Sequence, residues 1–219
     1  MPEAVKPARV GILGAGKLGT VLARLAVAAG YEVRIAGSGD PKYIALTVDV
    51  FARGAVPTTA SEAIDGADLV ILALPLHRVD SLPADALAGH IVIDAMNYWT
   101  AVDGPLPEFT EALGGTSSVV ASKLAGARVV KALSHVGYHD LDAHARDARR
   151  IALGIASNDL EAADVVAGFV ESLGFEPVMI GPLAAGVGLQ AGSHAFGAAL
   201  GREALLRSVA EYSPVAGTA

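Results

Sequence analysis

Six residues near the beginning of the chain have the types and spacing of a turn that binds phosphate. The run Gly14-Ala15-Gly16-Lys17-Leu18-Gly19 follows an apolar segment, Arg9–Leu13, and opens an amphipathic one, Leu18–Ala29. In this order the first glycine permits a tight turn, the second lets the backbone approach a pyrophosphate, and the third lets the helix pack against the strand. Free N–H groups and the dipole at a helix start favour an anion there. All six residues are therefore predicted to bind a dinucleotide.

The end of the next apolar segment, Glu32–Ala36, bears on which dinucleotide is bound. Proteins that bind NAD usually place Asp or Glu there, about 20 residues after the glycine motif, where it holds the ribose 2′-hydroxyl. Here Gly37 and Ser38 follow, and no carboxylate occupies the diagnostic position. A 2′-phosphate would suit Ser38 and Lys42, while Asp40 is expected to cap the next helix. The sequence therefore favours NADP over NAD.

Short apolar segments alternate with amphipathic ones along the rest of the chain, which is typical of a parallel sheet with helices on both faces. We predict an α/β fold of the Rossmann type, with a doubly wound, mainly parallel sheet. Residues 1–145 would form the dinucleotide-binding domain, and residues 146–219 a small C-terminal α/β extension that completes the substrate pocket. The predicted strands are Arg9–Leu13, Glu32–Ala36, Val56–Pro57, Leu69–Leu74, Ile91–Ala95, Val129–Ala132, Ile151–Ala156 and Pro177–Ile180. The predicted helices are Leu18–Ala29, Pro41–Arg53, a short one from Ser61, one from about Asp159 to Leu173, and a long glycine-rich one that ends near Tyr212.

Residues that follow three of these strands are predicted to meet at one edge of the sheet, where open α/β sheets bind their ligands. His77 could contact the cofactor or cap a surface turn, and Asn97 could hold the carboxamide or simply form a turn. Leu183 and Val187, near the start of the last predicted helix, would form an apolar lid over the substrate. The predicted cofactor-binding residues at this edge are Leu74, Pro75, His77, Met96 and Asn97.

Composition excludes several other classes of function. The net charge is -7 and the only basic cluster is Arg149–Arg150, so no nucleic-acid partner is expected. With no cysteine there is neither a disulfide nor a thiolate metal site, and a reducing, cytoplasmic location fits. His135, His139 and His144 lack the spacing of a ligand set, so no metal is expected.

The segment between Glu176 and Arg202 carries no charged residue and is long enough to span a bilayer. Its prolines and glycines, together with the small number of large apolar residues, argue against a membrane partner. We expect this segment to form a wall of the pocket on one side and a homodimer surface on the other.

Several motifs together resemble those of the F420-dependent NADP reductases. They are the early glycine motif, Gly37-Ser38, Leu74-Pro75, Val129-Val130-Lys131-Ala132-Leu133 with Ser134-His135, and Gly181-Pro182-Leu183, and they extend over nearly the whole chain. The resemblance implies a small Rossmann protein that passes a hydride between NADP(H) and the deazaflavin coenzyme F420. It further implies that Ser134 or His135 contacts the substrate. His135 is the candidate catalytic residue and could bind the deazaflavin, or it could form an ordinary structural hydrogen bond in its loop.

The chain departs from the pattern of this family at three places. Ala15 stands where the family often has Thr, which removes a hydroxyl contact to phosphate. Gly39 stands where an Arg commonly follows the Gly-Ser pair, so the usual bidentate clamp for a phosphate is missing. Ser134 occupies the place of a family His, and His135 is displaced by one position.

The predicted function is that of an NADP-dependent oxidoreductase that acts on a small molecule, with F420 as the co-substrate suggested by the resemblance. One alternative is an imine or keto-acid reductase, although such enzymes usually carry a further helical domain. The other alternative is a module that binds NADP(H) and reports redox state without turnover.

Overall fold

The computed structural model describes residues 8–212. Eight strands form one sheet: β1 (Arg9–Leu13), β2 (Glu32–Ala36), β3 (Val56–Thr58), β4 (Leu69–Leu72), β5 (Ile91–Asp94), β6 (Arg128–Lys131), β7 (Ala152–Ser157) and β8 (Glu176–Gly181). The α-helices are α1 (Lys17–Ala28), α2 (Ala45–Phe51), α3 (Ala60–Ile64), α4 (Ala84–Leu87), α5 (Thr100–Asp103), α6 (Pro107–Thr110), α7 (Gly115–Lys123), α8 (Tyr138–His144), α9 (Leu160–Ser172) and α10 (Arg202–Glu211). Short 3-10 helices span Pro41–Tyr43, Leu76–Ser81 and Leu183–Leu189.

The strand order across the sheet is β3-β2-β1-β4-β5-β6-β7-β8. Neighbouring strands are parallel except β6 and β7, which pair antiparallel. The chain moves outward from β1 to β3, returns to pair β4 with β1, and continues in the other direction. This reversal beside β1 creates the crevice in which doubly wound sheets bind ligands. The predicted α/β fold is confirmed.

The central strands are buried on both faces, which explains their continuous apolar sequences. Every residue of β4 and β5 is buried. Alternate residues face opposite layers, so Ile71 packs in the core beneath α1, α2, α8 and α9, and Leu72 packs in the core beneath α3, α4 and α7. Two helical layers therefore enclose one sheet.

The two strands that follow residue 146 extend this sheet. Lys131 of β6 pairs with Ala156 of β7 in antiparallel register, and β8 lies parallel to β7 at the edge. Because β7 and β8 run opposite to the other strands, the carboxyl end of β7 lies near the amino end of β6. The segment that follows β8 must then cross the sheet to reach the edge where β1, β4, β5 and β6 end.

All eight predicted strands are present; β1 and β2 have the predicted bounds, and the ends of the other six differ by at most two residues. The strand predicted to reach Leu74 ends at Leu72, because its pairing with β1 stops at Leu13. The helix predicted over Pro41–Arg53 is divided into a 3-10 turn and α2. Asp40 caps it as expected, since its carboxylate accepts the backbone N–H of Lys42 at 2.9 Å.

The prediction of a single long glycine-rich helix that ends near Tyr212 is wrong. A 3-10 helix covers Leu183–Leu189, α10 begins only at Arg202, and the residues between them are irregular. Gly192 and Gly197 adopt φ values of 93° and 76°, which no right-handed helix contains. The N–H of Gly197 bonds instead to the His135 carbonyl at 2.7 Å. The small residues thus serve turns rather than a helix face.

Among residues 8–212, no helix is both long enough and apolar enough to cross a membrane.

A buried ion pair connects β5 and β6 at their carboxyl ends. Lys131 Nζ lies 3.6 Å from Asp94 Oδ2, and both side chains are fully buried. The ammonium also donates to the Met96 carbonyl at 2.6 Å, and Asp94 accepts from Ser117 of α7 at 2.6 Å and from the Met96 N–H at 3.0 Å. Burial lowers the pKa of Lys131. The pair holds the end of β5, the end of β6 and α7 in one arrangement.

Replacing one member of this pair leaves the other charge buried without its partner, so Lys131→Met is expected to destabilise the fold by about 3–5 kcal/mol. Urea unfolding followed by circular dichroism measures the effect. The double variant Lys131→Met with Asp94→Leu should lose much less than the sum of the two single changes, because no charge remains buried. Arg207→Met, which removes an exposed pair with Glu203, is the control and should change stability little. Additive losses in the double variant would contradict the coupling.

Candidate cofactor and substrate site

The glycine turn that joins β1 to α1 is shaped by two of its three glycines. Gly14 has a φ of +120°, and its N–H donates to the Ala36 carbonyl of β2 at 2.8 Å. A Cβ on Gly14 would overlap the carbonyl oxygen of Ala73, and a Cβ on Gly19 would overlap the carbonyl oxygen of Gly14. Both positions therefore require glycine for the fold itself.

Gly16 is different, because no contact among residues 8–212 explains why it is glycine. Its backbone is extended (φ -84°), its surface is exposed, and an added Cβ would meet no atom within 4 Å. Gly16 is the N-cap of α1, and no side chain caps that helix end. An open space beside uncapped N–H groups at a helix start fits the phosphates of a dinucleotide. The exposed Lys17 follows it, whereas Ala15 and Leu18 pack partly against the core.

The residues after β2 form a second part of this site. Gly37 packs closely on α2, since a Cβ there would lie 2.8 Å from Ile44 Cγ2. Ser38 is exposed, and Gly39 has a φ of +101°. Lys42 Nζ lies 2.8 Å from Asp40 Oδ2, so the cation that was predicted to join Ser38 at a 2′-phosphate already has a carboxylate partner. That pairing was not predicted from the sequence.

Beyond β4, His77 is held by a carboxylate that the sequence did not single out. Leu74 is half-buried and Pro75 is exposed, and His77 follows with its side chain about a third exposed. Asp103 Oδ1 accepts the His77 N–H at 3.0 Å and lies 2.9 Å from His77 Nδ1. Burial alone would raise the pKa of Asp103, but the hydrogen bonds from His77 and Trp99 lower it. The pair fixes the imidazole with Nε2 directed away from the carboxylate.

Asn97, Ser134 and His135 lie together where β5 and β6 end. Asn97 Nδ2 donates to the Ser134 carbonyl at 2.7 Å, which joins the two loops. Leu133, which lies between the end of β6 and Ser134, has a φ of +60°, a strained conformation for a buried leucine. Asn97 Oδ1 and Ser134 Oγ are buried and form no hydrogen bond within residues 8–212, and the two buried ring nitrogens of His135 have no partner there apart from the backbone of Ala152. Native proteins rarely leave such groups unpaired, so a ligand or water is the expected partner.

The imidazole of His135 is uncharged in this environment. Only 1 % of the residue is exposed, and burial lowers its pKa to about 4, aided by the nearby Lys131 and opposed by the backbone of Ala152. A neutral imidazole can donate one hydrogen bond and accept another, but it supplies no positive charge near pH 7. His135 is thus suited to orient a ligand and not to neutralise an anion.

The structure brings most of the predicted residues to one edge, with Leu183 as the exception. The Leu183 N–H bonds to Asn158 Oδ1 at 3.0 Å, and Asn158 follows the carboxyl end of β7, near the amino end of β6. Leu183 is therefore buried away from Ser134 and His135. Val187 lies closer to them, because the neighbouring Gly186 packs against the side chain of Lys131. Met96 contributes backbone contacts to Lys131 and Asp94.

Sequence reasoning missed Asp94, Lys131 and Asp103 as residues that organise this site. Asp94 and Lys131 each end an apolar strand, and a charged residue at that point was the available signal. Asp103 lies in a short loop helix with no periodic pattern, so only its contacts in the folded chain identify it.

Residues 9–98 match a family model described as NADP oxidoreductase coenzyme F420-dependent. The predicted resemblance to this family is confirmed. The matched part contains the glycine turn, the end of β2 and the loops after β4 and β5. No curated protein sequence matches the chain.

Solved structures similar to this chain agree on the fold. The hypothetical protein SMa0349 from Sinorhizobium meliloti has 29 % identity and a TM-score of 0.72 over 88 % of this chain and 94 % of its own. A candidate F420-dependent NADP-reductase from Arthrobacter sp. FB24 has 23 % identity and a TM-score of 0.70 over 83 % and 88 %. An imine reductase from Pseudomonas sp. has 20 % identity and a TM-score of 0.55 over 81 % of this chain but only 56 % of its own.

The contrast between Gly16 and Gly19 gives a direct test of the phosphate site. Gly16→Val should unfold at nearly the same temperature as the wild type, because its Cβ meets no atom, yet it should abolish dinucleotide binding by filling the space for phosphate. Gly19→Ala should instead destabilise the protein by more than about 1 kcal/mol, because its Cβ overlaps the Gly14 carbonyl. Differential scanning fluorimetry and titration calorimetry with NADPH measure the two effects. Normal NADPH binding by Gly16→Val would contradict the assignment.

Proposed function

We propose that this protein is an NADP-dependent oxidoreductase that transfers a hydride between NADP(H) and a flat acceptor, with coenzyme F420 as that acceptor. The observation that carries the proposal is the open space at Gly16, a position where glycine serves no structural need in the protein. The family match over the same residues supports the nicotinamide dinucleotide as the ligand. The cofactor would lie on Gly14–Gly19, with its 2′-phosphate near Ser38 and its nicotinamide end near Pro75, His77 and Asn97.

The choice of NADP over NAD depends on the end of β2. Ala36 ends the strand and Gly37 and Ser38 follow, so no carboxylate faces the ribose from the diagnostic position. Lys42 would pair with a 2′-phosphate in competition with Asp40, which it contacts in the absence of a ligand. The positive φ of Gly39 explains why no arginine stands there, since a side chain would be strained.

We expect NADPH to bind at least about tenfold more tightly than NADH, because a charge-assisted contact to the 2′-phosphate is worth about 1.5 kcal/mol or more. Ser38→Asp should reverse this preference, because its carboxylate repels the phosphate and accepts a bond from a ribose hydroxyl. Asp40→Asn keeps the cap and frees Lys42, so it should tighten NADPH binding and leave NADH binding unchanged. Titration calorimetry with both dinucleotides measures all three proteins. Equal affinities in the wild type would contradict the assignment to NADP.

Hydride transfer between flat rings needs close contact and exclusion of water more than it needs acid–base catalysis. When bound, NADPH would supply the hydride and become NADP⁺, and the acceptor would take up a proton from water. The loops after β5 and β6 orient the two rings through Asn97, Ser134 and the neutral His135. Buried apolar residues beneath them, among them Leu133 and Val136, exclude water. The homodimer and the cytoplasmic location remain predictions from the sequence.

A panel of acceptors tests the proposal. The purified protein should oxidise NADPH with F420, followed by the loss of F420 absorbance, and should be inactive with a cyclic imine. His135→Asn should lower kcat with F420 by about tenfold or more, because the ring that orients the acceptor is lost, while the Kd for NADPH stays unchanged. His139→Asn alters an exposed histidine on α8 and is the matched control.

Reduction of imines without F420 turnover would overturn the choice of acceptor. NADPH binding with no turnover on any acceptor would support the redox-sensing alternative.

A further inference from the structure

Trp99, the only tryptophan of the chain, has a fixed position beside the proposed site. It follows β5 and directly precedes α5. Its N–H donates to Asp103 Oδ2 at 2.8 Å, and the other oxygen of Asp103 holds His77. One buried carboxylate therefore sets the position of Trp99 relative to the loop after β4.

The indole ring of Trp99 is only partly covered. It meets Phe196 edge to face, with ring centroids 5.5 Å apart and an angle of 64° between the planes, and 49 % of Trp99 remains exposed. An exposed tryptophan held rigid by its backbone offers a surface on which another flat ring can stack.

The segment that carries Phe196 also contacts the residues with unpaired polar atoms. The N–H of Gly197 bonds to the His135 carbonyl, and Ser193 Oγ is buried without a hydrogen-bond partner. Ser134 Oγ lacks a partner in the same way, and the buried ring nitrogens of His135 have no side-chain partner within residues 8–212. The aromatic pair and these buried polar groups thus lie on loops that are bonded to each other.

We propose that Trp99 and Phe196 form the binding platform for the second substrate, a flat heteroaromatic ring with polar atoms on its rim. The face of the ring stacks on Trp99, and its polar rim faces the loops that carry Ser134, His135 and Ser193. This inference rests on the proposed function, because it names where the hydride acceptor binds and which residues select it. It assigns the selection of a flat ring to two aromatic side chains rather than to Leu183 and Val187.

The experiment uses 5-deazariboflavin, which has the ring but no charged tail, as the probe. Equilibrium dialysis measures its Kd for the full chain saturated with NADP⁺. Stacking on an aromatic side chain predicts that Trp99→Ala weakens binding about fivefold or more. Trp99→Phe, which keeps an aromatic face, should recover most of the affinity. Phe51→Ala removes another exposed aromatic ring, on α2, and should bind the probe like the wild type.

The outcomes separate this inference from the proposed function. The affinity for NADPH, measured on the same samples by calorimetry, should be equal in all four proteins. A wild type that does not bind NADPH would contradict the proposed function. With NADPH binding intact, a Trp99→Ala protein that binds 5-deazariboflavin as tightly as the wild type would overturn the platform. A wild type that does not bind the probe would overturn it too. A third outcome would also overturn the platform. If Trp99→Ala leaves the probe affinity unaltered but dissociates a dimer in sedimentation velocity, Trp99 is a contact between copies of the chain.

Discussion

The buried contact between Lys131 and Asp94 is the constraint on which the proposed site depends. Both residues end strands, and a lysine without exposure is stable there only because the carboxylate and the Met96 carbonyl surround its ammonium. Asp94 in turn accepts a hydrogen bond from Ser117 of α7, and Gly186 packs closely against the stem of the lysine, where a Cβ would lie 3.0 Å from Lys131 Cγ. One ion pair thus fixes both loops that carry the polar residues, together with the 3-10 helix that covers them.

The same charge has an electrostatic consequence for the residues above it. A cation beneath His135 adds to the effect of burial in lowering the pKa of the imidazole, which stays neutral. A neutral ring can orient a polar ligand without attracting anions, and this property suits transfer of a hydride better than transfer of a proton. Asp103 stabilises two other loops, because its buried carboxylate accepts hydrogen bonds from the backbone N–H groups of both His77 and Trp99. Charged side chains at this edge mainly fix the positions of the neighbouring groups.

The glycines of the first turn show how the requirements of the fold and of the ligand can be separated. Gly14 and Gly19 are glycine because backbone atoms occupy the places of their side chains, so the chain would need them even without a cofactor. Gly16 faces open space at the start of α1, no atom of residues 8–212 requires it to be glycine, and the proposed cofactor accounts for it. The three glycines therefore look alike in the sequence, but the fold requires Gly14 and Gly19 and does not require Gly16. Only contacts in the folded chain distinguish the two cases.

The sequence by itself determined the α/β fold, the eight strands, the glycine turn and the cap at Asp40, because each depends on local propensity and on apolar periodicity. It did not determine the structure of residues 190–201, since an uncharged, small-residue segment is compatible with a helix until positive φ angles and contacts across the sheet exclude it. Tertiary structure alone decided that Leu183 lies away from the site, because β7 runs antiparallel to β6 and reverses the path of the chain. It also decided the partners of Lys131, Asp103 and Trp99. Pairings between residues far apart in the chain leave no periodic pattern, and they form only when the strands and loops are packed together.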